Sequence, residues 1–416
     1  MDAFLIEGQH PLSGTVEISG AKNAVLPIMA AALLTSGITT LSRVPNLKDT
    51  RTMGQLMEII GAKVDFDNHK LVIDASGCSN PEAPYELVKT MRASFYVLGP
   101  LLARFGRCRV SMPGGCNWGP RPIDLHLQAM EALGATITLE GGYIIAEGKL
   151  RGAEINFEIS SVGATGNTIM AVVMAEGITT INNAAREPEI VDLCHFLQAM
   201  GANIDGIGTA TLIIEGRKEL GSSDWQIIPD RIEAGTFLVA GAMLGQGVVI
   251  DGARPDHLGA LIAKLEEAGV EIEIDGELIK ISKPDKINPV NIVTSPYPGY
   301  PTDLQAQWIS LMLLADGNSL IQDNIYLDRF AHVPELARLG AEIKLDHNIA
   351  QVQGPAELVG APVMSTDIRA SAALVLAALI ANGETTLSRV YHIDRGYESI
   401  EEKFNGLGAK IRRVGE

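Results

Sequence analysis

Apolar residues along this chain recur in two alternating periods. Runs such as Ile190, Leu193, Phe196, Leu197 and Met200 keep the three-and-four spacing of an amphipathic helix. Each run stops at a glycine, and a short run with strand character follows. Six stops share one form: Ile60-Gly61-Ala62-Lys63-Val64, Leu133-Gly134-Ala135-Thr136-Ile137, Met200-Gly201-Ala202-Asn203-Ile204, Ala268-Gly269-Val270-Glu271-Ile272, Leu339-Gly340-Ala341-Glu342-Ile343 and Leu407-Gly408-Ala409-Lys410-Ile411. Glycine ends a helix well because it accepts positive φ at the position after the last turn.

Two further landmarks keep register with these glycines. Upstream of each lies a glycine followed by a β-branched run, as in Gly37-Ile38-Thr39-Thr40-Leu41, Gly177-Ile178-Thr179-Thr180-Ile181 and Gly383-Glu384-Thr385-Thr386-Leu387, which reads as a strand. Further upstream a small-residue turn opens an apolar helix, at Lys22-Asn23, Arg92-Ala93-Ser94, Gly163-Ala164-Thr165, Arg231-Ile232-Glu233, Asp303-Leu304-Gln305 and Arg369-Ala370-Ser371. The unit so defined is strand, helix, strand, helix and two strands. Six copies, spaced by about 70 residues, predict an α/β protein of two three-repeat domains.

The helix starts carry chemistry. If the six helices lie side by side in each domain, their amino termini share a face, each with a partial positive charge of about half a unit. Lys22, Arg92, Arg231 and Arg369 add full charges there. Cations at a helix start are unfavourable without an anionic ligand, and a purely structural design would place Ser, Thr or Asp as caps. The pattern predicts a trap for phosphate and carboxylate.

Composition narrows the partner. A formal charge of −17 excludes the broad basic face that nucleic acid needs, while leaving room for local clusters of Arg and Lys around small anions. With 46% hydrophobic and 20% charged residues, the 416-residue chain can bury a large core. Met1-Asp2-Ala3-Phe4 lacks the character of a secretion signal, which predicts a cytoplasmic protein. The longest apolar run, Ala370 to Ala381, falls short of the roughly 20 residues that cross a bilayer and reads as a buried helix. Cys78, Cys108, Cys116 and Cys194 form no CxxC pair and no metal spacing, so free thiols are expected.

One cysteine stands apart. The segment Pro113-Gly114-Gly115-Cys116-Asn117-Trp118-Gly119-Pro120-Arg121-Pro122 is too irregular for a helix or a central strand and reads as a surface loop able to fold over a site, or as a plain turn.

The runs Ser19-Gly20-Ala21-Lys22-Asn23-Ala24, Lys89-Thr90-Met91-Arg92-Ala93-Ser94, Pro113-Gly114-Gly115-Cys116, Arg121-Pro122-Ile123-Asp124-Leu125-His126, Ser161-Val162-Gly163-Ala164-Thr165, Pro301-Thr302-Asp303, Asp367-Ile368-Arg369-Ala370-Ser371 and Tyr391-His392-Ile393-Asp394-Arg395-Gly396-Tyr397 are similar to those of the UDP-N-acetylglucosamine enolpyruvyl transferases. The resemblance spans essentially the whole chain. It implies an inside-out α/β barrel fold of six βαβαββ repeats, with residues 21–229 in one domain, residues 1–20 and 230–416 in the other, and the site in the cleft between them. It also implies transfer of the enolpyruvyl group of phosphoenolpyruvate to the 3′-hydroxyl of UDP-N-acetylglucosamine, with no metal and no cofactor.

The roles implied by the resemblance fall on types suited to them. Cys116 is the acid, forms a covalent adduct with phosphoenolpyruvate, and is the residue that fosfomycin alkylates. Asp303 lies near the 3′-hydroxyl, although its position alone also suits a helix cap. Lys22 and Arg395 complete the catalytic set. Phosphoenolpyruvate, with a phosphate and a carboxylate, falls to Lys22, Asn23, Arg121, Arg369 and Arg395, since planar guanidinium groups pair bidentately with both anions. UDP-N-acetylglucosamine falls to Asn23, Arg92, Arg121, Pro122, Ile123, Asp124, Leu125, Ser161, Val162, Gly163, Asp303, Ile325 and Arg329. Ile159 stands where a basic residue is common, and Trp118 is large for its place in the loop. His126 and His392 suit packing or hydrogen bonding better than catalysis. Two rival readings are a 5-enolpyruvylshikimate-3-phosphate synthase, which lacks the Pro-Gly-Gly-Cys run, and a non-catalytic binder of nucleotide sugars, which need not keep an acid and a base.

Overall fold

The computed structural model describes residues 2–112 and 123–415. All six helix-ending glycines, Gly61, Gly134, Gly201, Gly269, Gly340 and Gly408, have φ between 90° and 110°. A side chain there would strain the backbone. The predicted strands follow the upstream glycines at Ile38–Ser42, Arg107–Ser111, Ile178–Asn182, Val248–Asp251, Asn318–Gln322 and Glu384–Ser388.

Among the described residues, six four-stranded sheets repeat one topology. In the third, Glu154–Asn156 runs parallel to Ile178–Asn182, which pairs antiparallel with Thr211–Glu215, which pairs antiparallel with Asn203–Asp205. Along Thr211–Glu215 only Leu212 and Ile214 are buried. Such alternation puts one face of the sheet on the core and leaves the other to solvent.

The chain divides into two compact units, residues 20–228 and the discontinuous set 1–19 with 229–416. Each has its own hydrophobic core. In the discontinuous unit the helices Arg231–Leu244, Gln305–Met312 and Ile368–Ile380 pack on one another with almost every residue buried. Small residues make this possible: a Cβ on Gly235 would lie 2.6 Å from Leu304 Cδ1. The apolar Ala370–Ala381 run is this buried Ile368–Ile380 helix and its end. No helix of the described residues is long and apolar enough to cross a membrane.

Two strands are exchanged. Thr15–Glu17, ahead of the Lys22 helix, pairs with Val248–Asp251, whereas Asp224–Gln226, ahead of the Arg231 helix, pairs with Ile38–Ser42. Trp225 anchors the second of these, with its ring edge-on to Phe196 and Nε1 donating to Asp192 Oδ1 at 3.1 Å. Lys403 anchors the first: its Nζ donates to Glu17 O, Ser19 Oγ and Glu233 Oε1. The amino-terminal strand Asp2–Glu7 lies between Glu384–Ser388 and Lys410–Gly415.

Candidate active site

The six predicted helix starts each open a helix. Lys22 begins Lys22–Ala31, Arg231 begins Arg231–Leu244, and Arg369 is the second residue of Ile368–Ile380. Arg92 and Asp303 differ in lying on 3-10 turns, Arg92–Val97 and Thr302–Leu304, that lead into Leu98–Phe105 and Gln305–Met312.

The expectation that cations replace caps is corrected here. Asp230 caps the Arg231 helix by accepting from the backbone N–H groups of Ile232 and Glu233, and Asp367 does the same for Arg369 and Ala370. Ser161 caps Val162–Val172 through Ala164. Cap and cation coexist because the cap occupies the position before the helix and the cation the first or second position inside it. The Arg92 turn matches the original expectation, with no side-chain cap, and so does the helix begun by Lys22. The Lys22 ammonium meets a different anion, Asp49 Oδ2 at 2.7 Å, with both side chains nearly buried.

In the discontinuous unit the predicted residues converge. Asp303 Oδ1 accepts from Arg329 Nη2 at 2.8 Å and from Arg369 Nε at 3.2 Å. The arginine side chains are each 7% exposed and that of Asp303 is 27% exposed, so the carboxylate is the open member of the trio. Among the described residues no hydrogen bond falls on Asp303 Oδ2. Asp303 therefore does not cap its helix. Burial acts to raise its carboxyl, but the charges of Arg369 and Arg329, the Arg329 hydrogen bond and the charge of Arg231 outweigh burial and hold it well below the usual carboxylate range.

The turn bearing Arg395, Val390–Arg395, is pressed against the start of the Arg369 helix, since a Cβ on Gly396 would lie 2.6 Å from Ile368 Cγ2. Tyr397 stands 5.7 Å from the Arg369 guanidinium, its hydroxyl bonded to Thr236 and Gln307. Arg369 and Arg329 thus form one cationic pair around the Asp303 carboxylate, and the turn that carries Arg395 packs against the start of the Arg369 helix. Ile325, 36% exposed, lies on the loop that leads to Arg329.

In the 20–228 unit a second group forms. Ile123, Asp124 and Leu125 stand at the start of Asp124–Ala132, which packs on Val162–Val172 behind Ser161, Val162 and Gly163. His126 joins them: a Cβ on Gly163 would lie 3.2 Å from its Cε1 and Nε2. Burial, and then the charge of Arg92, push the imidazole down to about 3. Asn23 is half-buried beside Lys22, and Ile159 is 59% exposed. Cys116, Arg121, Pro122 and Trp118 lie outside the described residues.

Sequence reasoning counted Arg231 among the cations of the anion trap but gave it no substrate contact, and it missed Asp49 altogether. Arg231 had a signal, its place at a helix start. Asp49 had none, since its partner is 27 positions away in a different element.

The fold defines an enolpyruvyl transferase. The chain superposes on the enolpyruvyl transferase NikO from Streptomyces tendae with a TM-score of 0.91 and 28% identity, over 99% of each chain. It shares the fold of EPSP synthase from Acinetobacter baumannii, with a TM-score of 0.77 and 18% identity. A profile described as EPSP synthase (3-phosphoshikimate 1-carboxyvinyltransferase) matches residues 6–404. The chain is 57% identical to a UDP-N-acetylglucosamine 1-carboxyvinyltransferase of Chloroherpeton thalassium over 99% of this chain and 97% of that protein. It is 53% identical to the protein of that name from Geotalea uraniireducens over the full length of both. The chain belongs to the EPSP synthase family and, within it, to the UDP-N-acetylglucosamine 1-carboxyvinyltransferases.

Proposed function

We propose that this enzyme transfers the enolpyruvyl group of phosphoenolpyruvate to the 3′-hydroxyl of UDP-N-acetylglucosamine, releasing phosphate, in the cytoplasm and as the first committed step of peptidoglycan synthesis. Relatives of that name at 53–57% identity support the substrate pair over shikimate 3-phosphate. The observation that carries the chemistry is Asp303, ionised between Arg329 and Arg369 with Oδ2 unengaged among the described residues.

In the addition step Cys116 delivers a proton to C3 of phosphoenolpyruvate while the sugar hydroxyl attacks C2 and gives its proton to Asp303. The product is a tetrahedral phosphate ketal. Elimination returns a proton from the new methyl group to the Cys116 thiolate and expels phosphate, which carries off the proton held by Asp303, and the double bond is restored. Lys22, Asn23, Arg121, Arg369 and Arg395 hold the phosphate and carboxylate; Asn23, Arg92, Arg121 to Leu125, Ser161 to Gly163, Ile325 and Arg329 hold the nucleotide sugar.

A carboxylate so stabilised by arginines is a weak base, and the substrates answer that difficulty. When an anionic group binds Arg369 and Arg329, their field is shared, and the proton affinity of Asp303 rises as the hydroxyl arrives. The base is strengthened by the substrate it serves.

The test is phosphate release from phosphoenolpyruvate by purified enzyme. Release that requires UDP-N-acetylglucosamine is expected. Release driven by shikimate 3-phosphate would assign the rival reaction, and binding of the nucleotide sugar without release would assign the non-catalytic one.

A further inference from the structure

Asp323 takes no part in the chemistry above, yet it is fully buried behind Asp303. Its Oδ1 accepts from Thr294 Oγ1 at 2.8 Å and from the backbone N–H groups of Ile325 and Tyr326, each at 2.9 Å. Its Oδ2 accepts from Thr302 Oγ1 at 2.6 Å. Thr302 also meets Arg329, whose Nη1 lies 3.0 Å from the same hydroxyl oxygen.

The direction of these bonds follows from what each group can do. A guanidinium only donates, so Arg329 gives its hydrogen to Thr302, and the single hydroxyl proton of Thr302 remains for Asp323. A continuous path results: Asp323 orients Thr302, Thr302 holds one arm of Arg329, and the other arm of Arg329 holds Asp303 Oδ1. The same carboxylate gathers the Ile325–Tyr326 turn.

We propose that Asp323 is a positioning residue for Asp303, acting through Thr302 and Arg329 to fix which carboxylate oxygen faces the sugar hydroxyl. This rests on the reading of Asp303 given above. A carboxylate turned by about an ångström loses the alignment that makes proton transfer effective, so the loss falls on turnover and not on binding.

The test compares Asp323→Asn, Thr302→Val, the double variant and Thr302→Ser. The amide introduced by Asp323→Asn presents a hydrogen to Thr302 where an acceptor stood, and valine removes the hydroxyl. Each single change is expected to lower kcat about 10- to 100-fold, with KM for both substrates within about threefold and thermal unfolding close to that of the parent. The double variant should be no slower than the slower single one, because both changes cut one path. Thr302→Ser should keep near-parent turnover. Additive losses, a raised KM for the nucleotide sugar with kcat intact, or normal turnover in Thr302→Val would overturn the proposal in favour of a role confined to the Ile325–Tyr326 turn. Should Asp323→Asn not fold, Thr302→Val against Thr302→Ser decides alone. If the parent enzyme itself fails to turn over these substrates, the functional reading falls separately. Crystal structures of the variants then judge the path: displacement of Arg329 from Asp303 supports it, and an unchanged pair refutes it.

Discussion

Asn167 donates its side-chain N–H to His126 Nδ1 across 2.9 Å, and the direction of that bond is fixed from behind. Asn167 Oδ1 accepts from the backbone N–H of Gly99, and its Nδ2 also donates to the carbonyl of Phe95, so the amide cannot be turned over without breaking both. His126 Nδ1 must then offer a lone pair, and the ring proton sits on Nε2, on the edge facing Gly163. Asn167→Asp is expected to reverse this, drawing the proton to Nδ1. Nitrogen chemical shifts of the labelled imidazole report it, and an unchanged pattern would mean that the proton is set elsewhere.

The same histidine predicts an acid response. His126 is held at about 3 in the folded protein against an ordinary value of 6.5. Between those values the unfolded chain carries the extra proton, so stability falls as pH falls through that window. His332 acts in the same sense, pushed down to about 3 by burial and then by the charge of Arg329. Replacing His126 with glutamine, which does not titrate, should reduce the loss of unfolding free energy between about pH 6.5 and 4.5. Denaturant midpoints at the two pH values measure it, and an equal loss in both proteins would assign the response to other groups.

For Asp303→Asn we expect substrate binding to persist while turnover falls on the order of 10²-fold, the scale of a lost proton acceptor. Because the carboxyl is held below its usual range, the stability it contributes is present above the ordinary carboxylate value and is lost only as pH falls further. In the free enzyme it should likewise stay ionised at mildly acidic pH, so kcat/KM should show no acid limb near the ordinary carboxylate value. An acid limb that vanishes in the asparagine variant would contradict this.

Thiol labelling separates the four cysteines. Burial pushes Cys108 and Cys194 up to about 12, and it raises Cys78 against the opposing charge of Arg104. A thiol reacts as its thiolate, so none of the three should be modified in the folded enzyme at neutral pH. Iodoacetamide and fosfomycin are both expected to act at Cys116, read by peptide mass, with Cys116→Asp keeping turnover and resisting the drug. Prior labelling of any buried cysteine would count against the assignment of Cys116.

The repeat was legible because each landmark has a local cause. Glycine at a helix end, a β-branched run after a turn and a small-residue helix start are each decided within a few residues. The caps were misjudged because Asp230 and Asp367 stand one and two places before the cations they accompany, and charge alone drew the eye to Arg231 and Arg369. What stayed illegible was pairing across distance. Nothing in the residues around Lys22 names Asp49, and nothing near Asp303 names Asp323, because those contacts exist only once separate elements have packed. The choice of sheet for Thr15–Glu17 and Asp224–Gln226 is of that kind too, since three-residue strands carry little information about their neighbours.

Asp2 lies opposite Gly415 in the sheet shared by Asp2–Glu7 and Lys410–Gly415, so these two residues are neighbours although they are far apart in sequence. A short linker joining them, with a new opening cut between Ser19 and Gly20, would give a permuted polypeptide in which each unit is read off without interruption. Refolding of such a permutant requires only that the sheets assemble whatever the order in which their strands are joined.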